Sequence, residues 1–226
     1  MEKKAALVDE PPVAPGEGGL NLGIYRDFLF PRLMEFALSR RKPMEYRRKA
    51  LEAAQGDVLE IGFGTGLNLA CYPTAVTRLT LVDPAKMLPR RVSKRIAQSP
   101  LPVETAHLTA ERLPFEAERF DTVVSTWTLC TIPDVERALG EVRRVLKPGG
   151  RLLFLEHGRS PDEQVARRQD RWNGFQKVIG CGCNLNRPID RLIERAGLAI
   201  ERLDRFELPG APKIAAAHYL GSAART

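Results

Sequence analysis

Asp57-Val58-Leu59-Glu60-Ile61-Gly62-Phe63-Gly64-Thr65-Gly66 is the stretch that decides the fold. Val58, Leu59 and Ile61 form a short apolar run of the kind that a parallel sheet buries on both faces. Gly62, Gly64 and Gly66 follow at once, where a backbone without Cβ can turn sharply and approach a ligand closely. A helix over 66–71 is expected next, with its first N–H groups facing that ligand. The third glycine comes one residue earlier than in a dinucleotide fingerprint, so the pattern reads G-x-G-x-G, with Glu60 two residues ahead of it. A second apolar run, Leu79-Thr80-Leu81-Val82, ends in Asp83. A carboxylate at a strand end about 20 residues after the first glycine is placed to accept ribose hydroxyls. Asp83 before Pro84 also fits a helix cap, but the glycine loop upstream favours the ribose role.

Further motifs follow in order. Ala110-Glu111-Arg112-Leu113-Pro114-Phe115 precedes Phe120-Asp121-Thr122-Val123-Val124-Ser125, and Arg144-Val145-Leu146-Lys147-Pro148-Gly149-Gly150 precedes another apolar run. With the glycine loop, these segments resemble the class I S-adenosylmethionine-dependent methyltransferases over about residues 50 to 160. The resemblance implies S-adenosyl-L-methionine as cofactor. It implies cofactor contacts from Glu60, Gly62, Phe63, Gly64, Thr65, Gly66, Asp83, Pro84, Thr109, Ala110, Glu111 and Ser125. Many members carry Asp where Thr109 stands; here Thr109 or the backbone around Ala110 takes that place.

Composition fits one soluble globular domain. The 226 residues can bury a substantial core, and 43% hydrophobic with 28% charged residues is ordinary. The start, Met1-Glu2-Lys3-Lys4, leads into a Pro- and Gly-rich tract, with no secretory pattern. No apolar window is long enough to span a membrane. Four cysteines read as reduced thiols. Cys181-Gly182-Cys183 has only one residue between its cysteines and no second pair or His cluster after it, so no metal site is expected. The net charge of +7 is spread over many short basic clusters. No basic ribbon interleaved with aromatics is present, so nucleic acid is not expected as a partner.

Along the chain, residues 1–19 read as a flexible tail and 20–55 as two helices forming an N-terminal lid. Residues 56–226 form the methyltransferase domain. Strands at 58–61, 78–83, 102–107, 121–127 and 151–156 alternate with helices at 66–71, 85–98, 135–146 and 162–178. A helix at 187–196 capped by Asn186 and strands near 198–207 and 213–220 close the chain. This alternation predicts an α/β fold, a doubly wound, Rossmann-like, seven-stranded sheet with helices on both faces. Ligands of such sheets sit outside the strand carboxyl ends. The glycine turn, Asp83, Thr109, the Ser125–Cys130 segment and the Glu156-His157 pair all fall there.

Methyl transfer from a sulfonium demands approach geometry and a deprotonated nucleophile more than elaborate acid–base machinery. Candidate acceptor contacts are Trp127, Cys130, Glu156, Trp172, Cys183 and Asn184, and candidate catalytic bases are His157 and His218. Of these His157 stands out, since its strand-end position faces the cleft and imidazole titrates near neutral pH. Each has a plainer reading: Trp127 as packing, Cys130 and Cys183 as small buried hydrophobes, Asn184 as a turn residue. Leu155-Glu156-His157, Trp172, Gly182-Cys183-Asn184-Leu185-Asn186-Arg187, Cys71-Tyr72-Pro73, Thr128-Leu129-Cys130 and His218-Tyr219-Leu220-Gly221 resemble the thiol S-methyltransferases of the methyltransferase-like group. That resemblance implies methylation of a small thiol. The family's N-terminal membrane anchor is represented here only by an amphipathic segment at 20–38, followed by Arg40-Arg41-Lys42. It reads either as a lid with its apolar face on the core or as a peripheral membrane contact through residues 20–42, in a protein expected in the cytoplasm. The competing functions are N-methylation of a phospholipid head group or small amine, and a non-catalytic cofactor-binding protein with a basic nucleic-acid-binding surface.

Overall fold

The computed structural model describes residues 22–85 and 87–225; the expected tail at 1–19 lies outside them. Their seven strands are β1 (Gly56–Ile61), β2 (Val76–Val82), β3 (Val103–Ala106), β4 (Phe120–Thr126), β5 (Leu146–His157), β6 (Leu198–Glu207) and β7 (Ala217–Arg225). They form one sheet in the order β3-β2-β1-β4-β5-β7-β6. The first five strands are mutually parallel, and β7 lies antiparallel between β5 and β6. The sheet is therefore the expected seven-stranded one, mixed at one edge where β7 runs against both its neighbours.

Helices cover both faces. An N-terminal rod is built from α1 (Leu22–Ile24), a π-type turn at Tyr25–Leu29 and α2 (Phe30–Leu38). It is followed by α3 (Arg41–Leu51), α4 (Pro89–Gln98), α5 (Val135–Val145), α6 (Glu163–Ile179) and α7 (Ile189–Arg195). Side-chain alternation along β1 sends Leu59 and Ile61 to one face and Val58 to the other. The first face packs with Val123, Leu152 and Phe154 against Leu139 and Val142 of α5 and Ile193 of α7. The second packs with Leu79, Leu81, Val124 and Leu153 against Leu51 of α3 and Val92 of α4. Burial on both faces is the reason β1 reads as a nearly continuous apolar run.

Several boundaries differ from the sequence reading for local reasons. The expected helix at 66–71 is a single 3-10 turn, Leu67–Ala70, closed by Cys71 N donating to Asn68 O, and Pro73 disfavours helical angles at Tyr72 beyond it. The helix expected from 85 starts at Pro89, whose fixed φ suits a first helical position. The helix expected from 187 starts at Ile189, since Pro188 forces Arg187 away from helical angles. Asn186 is accordingly not its cap; its Nδ2 donates to Asp170 Oδ1 at 2.8 Å. The strand expected at 151–156 runs from Leu146 to His157. Leu146 pairs with Phe120 and Arg151 with Thr122, so the Lys-Pro-Gly-Gly segment between them bulges out of the ladder. The last strand is Ala217–Arg225, not 213–220, because a 3-10 turn occupies Lys213–Ala215. Two sequence motifs prove to be braces. Arg144 is paired with Glu141 and donates to Leu113 O and Phe115 O at 2.8 Å, while Glu141 accepts from Leu113 N, which fixes the Leu-Pro-Phe turn on α5.

Candidate active site

The carboxyl ends of β1 to β5 lie along one edge of the sheet and carry the predicted site. Gly62, Gly64 and Gly66 take φ values of +68°, +53° and +76°. A Cβ at Gly62 would lie 2.2 Å from Thr128 Oγ1, so this glycine permits the β1 and β4 ends to touch; one at Gly64 would meet only Met87 Sδ at 3.9 Å. The loop is tied to β2 by Gly64 N, which donates to Asp83 Oδ2 at 2.9 Å, while Ala85 N donates to Asp83 Oδ1 at 2.8 Å. Each carboxylate oxygen keeps lone-pair capacity for a ribose hydroxyl. Burial pushes the Asp83 carboxyl above its usual range, against the two backbone donors and His107. Phe63 is buried and Pro84 exposed at the same turn. Beyond β3, Thr109 and Glu111 are half-buried and Ala110 buried, and Glu111 accepts from Asp134 N at 3.4 Å.

Two predicted cofactor residues are occupied by the protein itself. Glu60 accepts from Tyr72 Oη at 2.6 Å and from Asn68 Nδ2 at 2.9 Å, deep in a network completed by Arg47. Arg47 donates to Asn68 Oδ1 and Thr126 Oγ1 at 2.7 and 2.9 Å and stacks 4.6 Å from the Trp127 ring centroid. Burial raises Glu60, and the bonds from Tyr72 and Asn68 and the Arg47 charge only partly oppose it. Ser125 Oγ donates to Glu156 Oε1 at 2.7 Å. Both residues shape the strand ends that border the cofactor loop.

Sequence reasoning missed Glu35. This buried residue of α2 accepts from Thr65 Oγ1 at 2.5 Å and from Arg95 Nη2 at 2.6 Å, and Arg95 also donates to Thr65 O at 2.5 Å. Burial opposes ionisation of Glu35, but Arg95, Thr65 and Arg91 outweigh it and hold the carboxyl below its usual range. The N-terminal rod is thus strapped over the glycine loop. Its orientation reverses the lid expected from the sequence. Pro31 and Glu35 face inward, while Phe28 and Phe36 are 61% and 64% exposed, along with Ile24, Leu29 and Leu33.

On the acceptor side, Trp127 follows β4 with φ of +53°, an unfavourable conformation for a bulky residue and one that clusters at functional sites. Its Nε1 donates to His218 Nε2 at 2.9 Å, and His218 Nδ1 donates to Ala216 O at 2.7 Å. Both His218 nitrogens are therefore engaged, and burial pushes its pKa down to about 4. In this geometry His218 holds Trp127 and has no lone pair free to take a proton. Glu156 and His157 leave β5 in opposite directions, as alternation requires. Glu156 accepts from Ser125 and from Thr128 N at 3.0 Å, with its pKa raised to about 7 by burial. His157 is buried, its Nδ1 is 3.6 Å from Cys183 Sγ, and its Nε2 has no partner. The thiol of Cys130, buried in the turn after β4, hydrogen-bonds that of Cys183, which raises the Cys130 thiol and lowers that of Cys183. The sequence reading compared Cys183 with Cys181; the fold pairs it instead with Cys130 and His157, and the metal-ligating atoms of those three lie within 4.8 Å of one another. All four cysteines are free thiols. Asn184 donates through its N and Nδ2 to Cys130 O at 2.8 and 2.9 Å, an internal clamp. Trp172 does not join the site: it is 51% exposed on α6, beside Phe175.

Residues 59–154 match the model of the methyltransferase domain family. The chain is 34% identical over 185 residues to the human thiol S-methyltransferase TMT1A, covering 74% of this chain and 70% of that protein. The chain is a class I S-adenosylmethionine-dependent methyltransferase. A phosphatidylethanolamine N-methyltransferase of Cereibacter sphaeroides is 30% identical over 152 residues, covering 66% of this chain and 74% of that protein. The fold is shared with the N-methyltransferase NodS of Bradyrhizobium japonicum in complex with S-adenosyl-L-homocysteine, at 17% identity and a TM-score of 0.59 over 86% of this chain and 97% of that one. The glycine loop and the residual acceptor capacity of Asp83 fit S-adenosylmethionine, which supplies an electrophilic methyl on a sulfonium centre. Gly62–Gly66 would hold it by close backbone approach, and Asp83 by its carboxylate.

Proposed function

We propose that this methyltransferase transfers methyl to the sulfur of a small thiol. The observation that carries the reading is the grouping of Cys130 after β4, His157 at the end of β5 and Cys183 after α6. The names of the human TMT1 relatives support it. A thiol becomes a good nucleophile only as thiolate, and this group supplies the environment for that ionisation at the strand end. His157 is the histidine beside the acceptor, since His218 is committed to Trp127 and Ala216. Trp127, held from both sides by Arg47 and His218, walls the acceptor side.

One observation favours a second reading, methylation of a phospholipid head-group amine. Tyr25 Oη donates to Ile179 O at 2.7 Å and ties the start of the N-terminal rod to the end of α6, and both elements carry exposed apolar residues, among them Phe28 and Phe36 on the rod and Trp172, Phe175 and Val178 on α6. Arg26 and Arg32 on the rod and Arg40 just beyond it border this face, with Arg32 over Phe28 and Arg40 over Phe36, a composition suited to a peripheral contact with an anionic bilayer. The Cereibacter relative's name points the same way. Labelled methyl transfer to a small alkyl thiol and to phosphatidylethanolamine vesicles separates the two. Thiol turnover at least tenfold above lipid turnover supports the proposal, and the reverse order overturns it.

A further inference from the structure

Three soft or borderline ligands converge from segments far apart in sequence. Cys130 lies after β4, His157 ends β5, and Cys183 follows α6. Tetrahedral zinc with Zn–S of about 2.3 Å and Zn–N of about 2.0–2.1 Å requires an S–N edge of about 3.6 Å. The distance from His157 Nδ1 to Cys183 Sγ is 3.6 Å. The corresponding S–S edge is about 3.8 Å, inside the 4.8 Å that bounds the group.

The backbone holding these side chains is fixed in advance. Asn184 donates twice to Cys130 O, Arg187 donates to Leu129 O, and Gly180 N donates to Gln176 O at 2.7 Å. Cys181 at φ of +49° and Gly182 at +100° reverse the chain so that Cys183 enters the group while Cys181 does not. A non-glycine residue held in the left-handed region costs stability, and such residues cluster at functional sites. His157 is 94% buried, and its Nε2 has no partner among the described residues. Two thiolates would cancel the charge of a divalent ion, leaving a neutral buried site.

We propose that Cys130, His157 and Cys183 bind a single Zn2+ ion, with its fourth position open to the acceptor thiol. The metal half of this proposal stands on the geometry alone; the acceptor half rests on the thiol reading above. Two Cys and one His with an open position is a ligand set of catalytic zinc sites, and thiolate ligands select against Mg2+ and Ca2+. A thiol that coordinates zinc loses its proton, here to solvent. The bound sulfur then forms its bond to the methyl carbon as the sulfonium–methyl bond breaks. That bond's electron pair leaves with S-adenosylhomocysteine, and the thioether product, a weaker ligand, departs.

Co2+ serves as a spectroscopic probe of the purified full chain. After dialysis against Co2+ and removal of free metal, one equivalent is expected, with thiolate-to-cobalt charge-transfer bands. The equivalent should be lost in Cys130→Ser and in Cys183→Ser and kept in Cys181→Ser. S-adenosylhomocysteine binding in each variant confirms that it is folded. A folded wild-type chain that retains no Co2+, or retention that is the same in all variants, overturns the metal site. Addition of an alkyl thiol should shift the cobalt bands; bands that do not move overturn the acceptor half. Metal retained by a chain that methylates only amines would sink the thiol reading and leave the metal site standing. Thiol turnover by a metal-free chain would keep the thiol reading and overturn the acceptor half.

Discussion

Substituting Glu35→Ala should release the N-terminal rod from the cofactor loop. In α2 only Pro31 and Glu35 are buried, so the attachment depends heavily on the carboxylate. Arg95 at 2.6 Å and Thr65 at 2.5 Å are its close partners, while Arg91, at 3.3 Å, is largely exposed and adds little. Hydrogen bonds to a charged group contribute about 1.5–3 kcal/mol each, and partial exposure of Arg95 reduces its share. A net loss of about 2–3 kcal/mol in docking lowers the docked-to-undocked ratio by roughly 30- to 150-fold. The same change leaves Thr65 with the Arg95 bond to its carbonyl oxygen but no acceptor from α2 for its hydroxyl. KM for S-adenosylmethionine should therefore rise by about tenfold or more, with kcat changed far less. Trypsin should cut faster at Arg32, Arg40 and Arg41, whereas global stability should change little. Glu35→Gln, which keeps an acceptor for Thr65, should fall between. A cofactor titration of methyl transfer paired with limited proteolysis reads both effects. Unchanged KM together with unchanged protection would refute the strap.

Asp83→Asn should weaken cofactor affinity by about tenfold or more, because a neutral amide is a poorer acceptor than the carboxylate. Since burial raises the Asp83 pKa, the ionised form that receives ribose hydroxyls exists above that raised value and is lost as pH falls through it. Affinity measured calorimetrically should fall on acidification at a pH above the ordinary aspartate range, and Asp83→Asn should flatten the curve; parallel curves would count against the ribose role. Arg47→Ala removes the donor to Asn68 and Thr126 and the buried positive charge that offsets Glu60, so urea unfolding should show a loss of about 3–5 kcal/mol. Arg151→Ala, which breaks an exposed pair with Glu201, should cost no more than about 1 kcal/mol. Replacing Phe28, Phe36 and Trp172 together with Ser should abolish co-sedimentation with anionic vesicles and leave turnover of a water-soluble thiol intact. Co-sedimentation equal to wild type would refute the membrane face.

The cofactor half was legible because backbone geometry leaves marks in sequence. A glycine triplet after an apolar run needs positive φ and close approach, and a carboxylate at the next strand end adjoins it. Gly64 N bonded to Asp83 is that adjacency in the fold. Glu35 carried no such mark: a lone acid within an apolar helix reads as part of its polar face, and only the fold shows that the polar face points inward. The rod's apolar stripe was expected on the core for the same reason, since periodicity identifies a stripe without saying what covers it. The Cys130–His157–Cys183 group escaped because its members lie on three separate segments, whereas ligand spacing in sequence detects only neighbours. His218 looked like a free base, but its hydrogen bonds to Trp127 and Ala216 depend on antiparallel pairing of β7 with β5 and β6. Strand and helix errors fell mostly at Pro73, Pro89, Pro188 and Pro212, where the ring's local geometry overrode hydrophobic pattern.

The central claim, sulfur methylation in the cleft beside Asp83, is tested most directly by a product-balance experiment. Labelled S-adenosylmethionine and a small alkyl thiol are incubated with wild-type protein and with Asp83→Ala, and the methyl thioether and S-adenosylhomocysteine are quantified together. The account predicts equimolar formation of both by the wild type and neither above background in the variant. S-adenosylhomocysteine without thioether, or a variant as active as wild type, would contradict it.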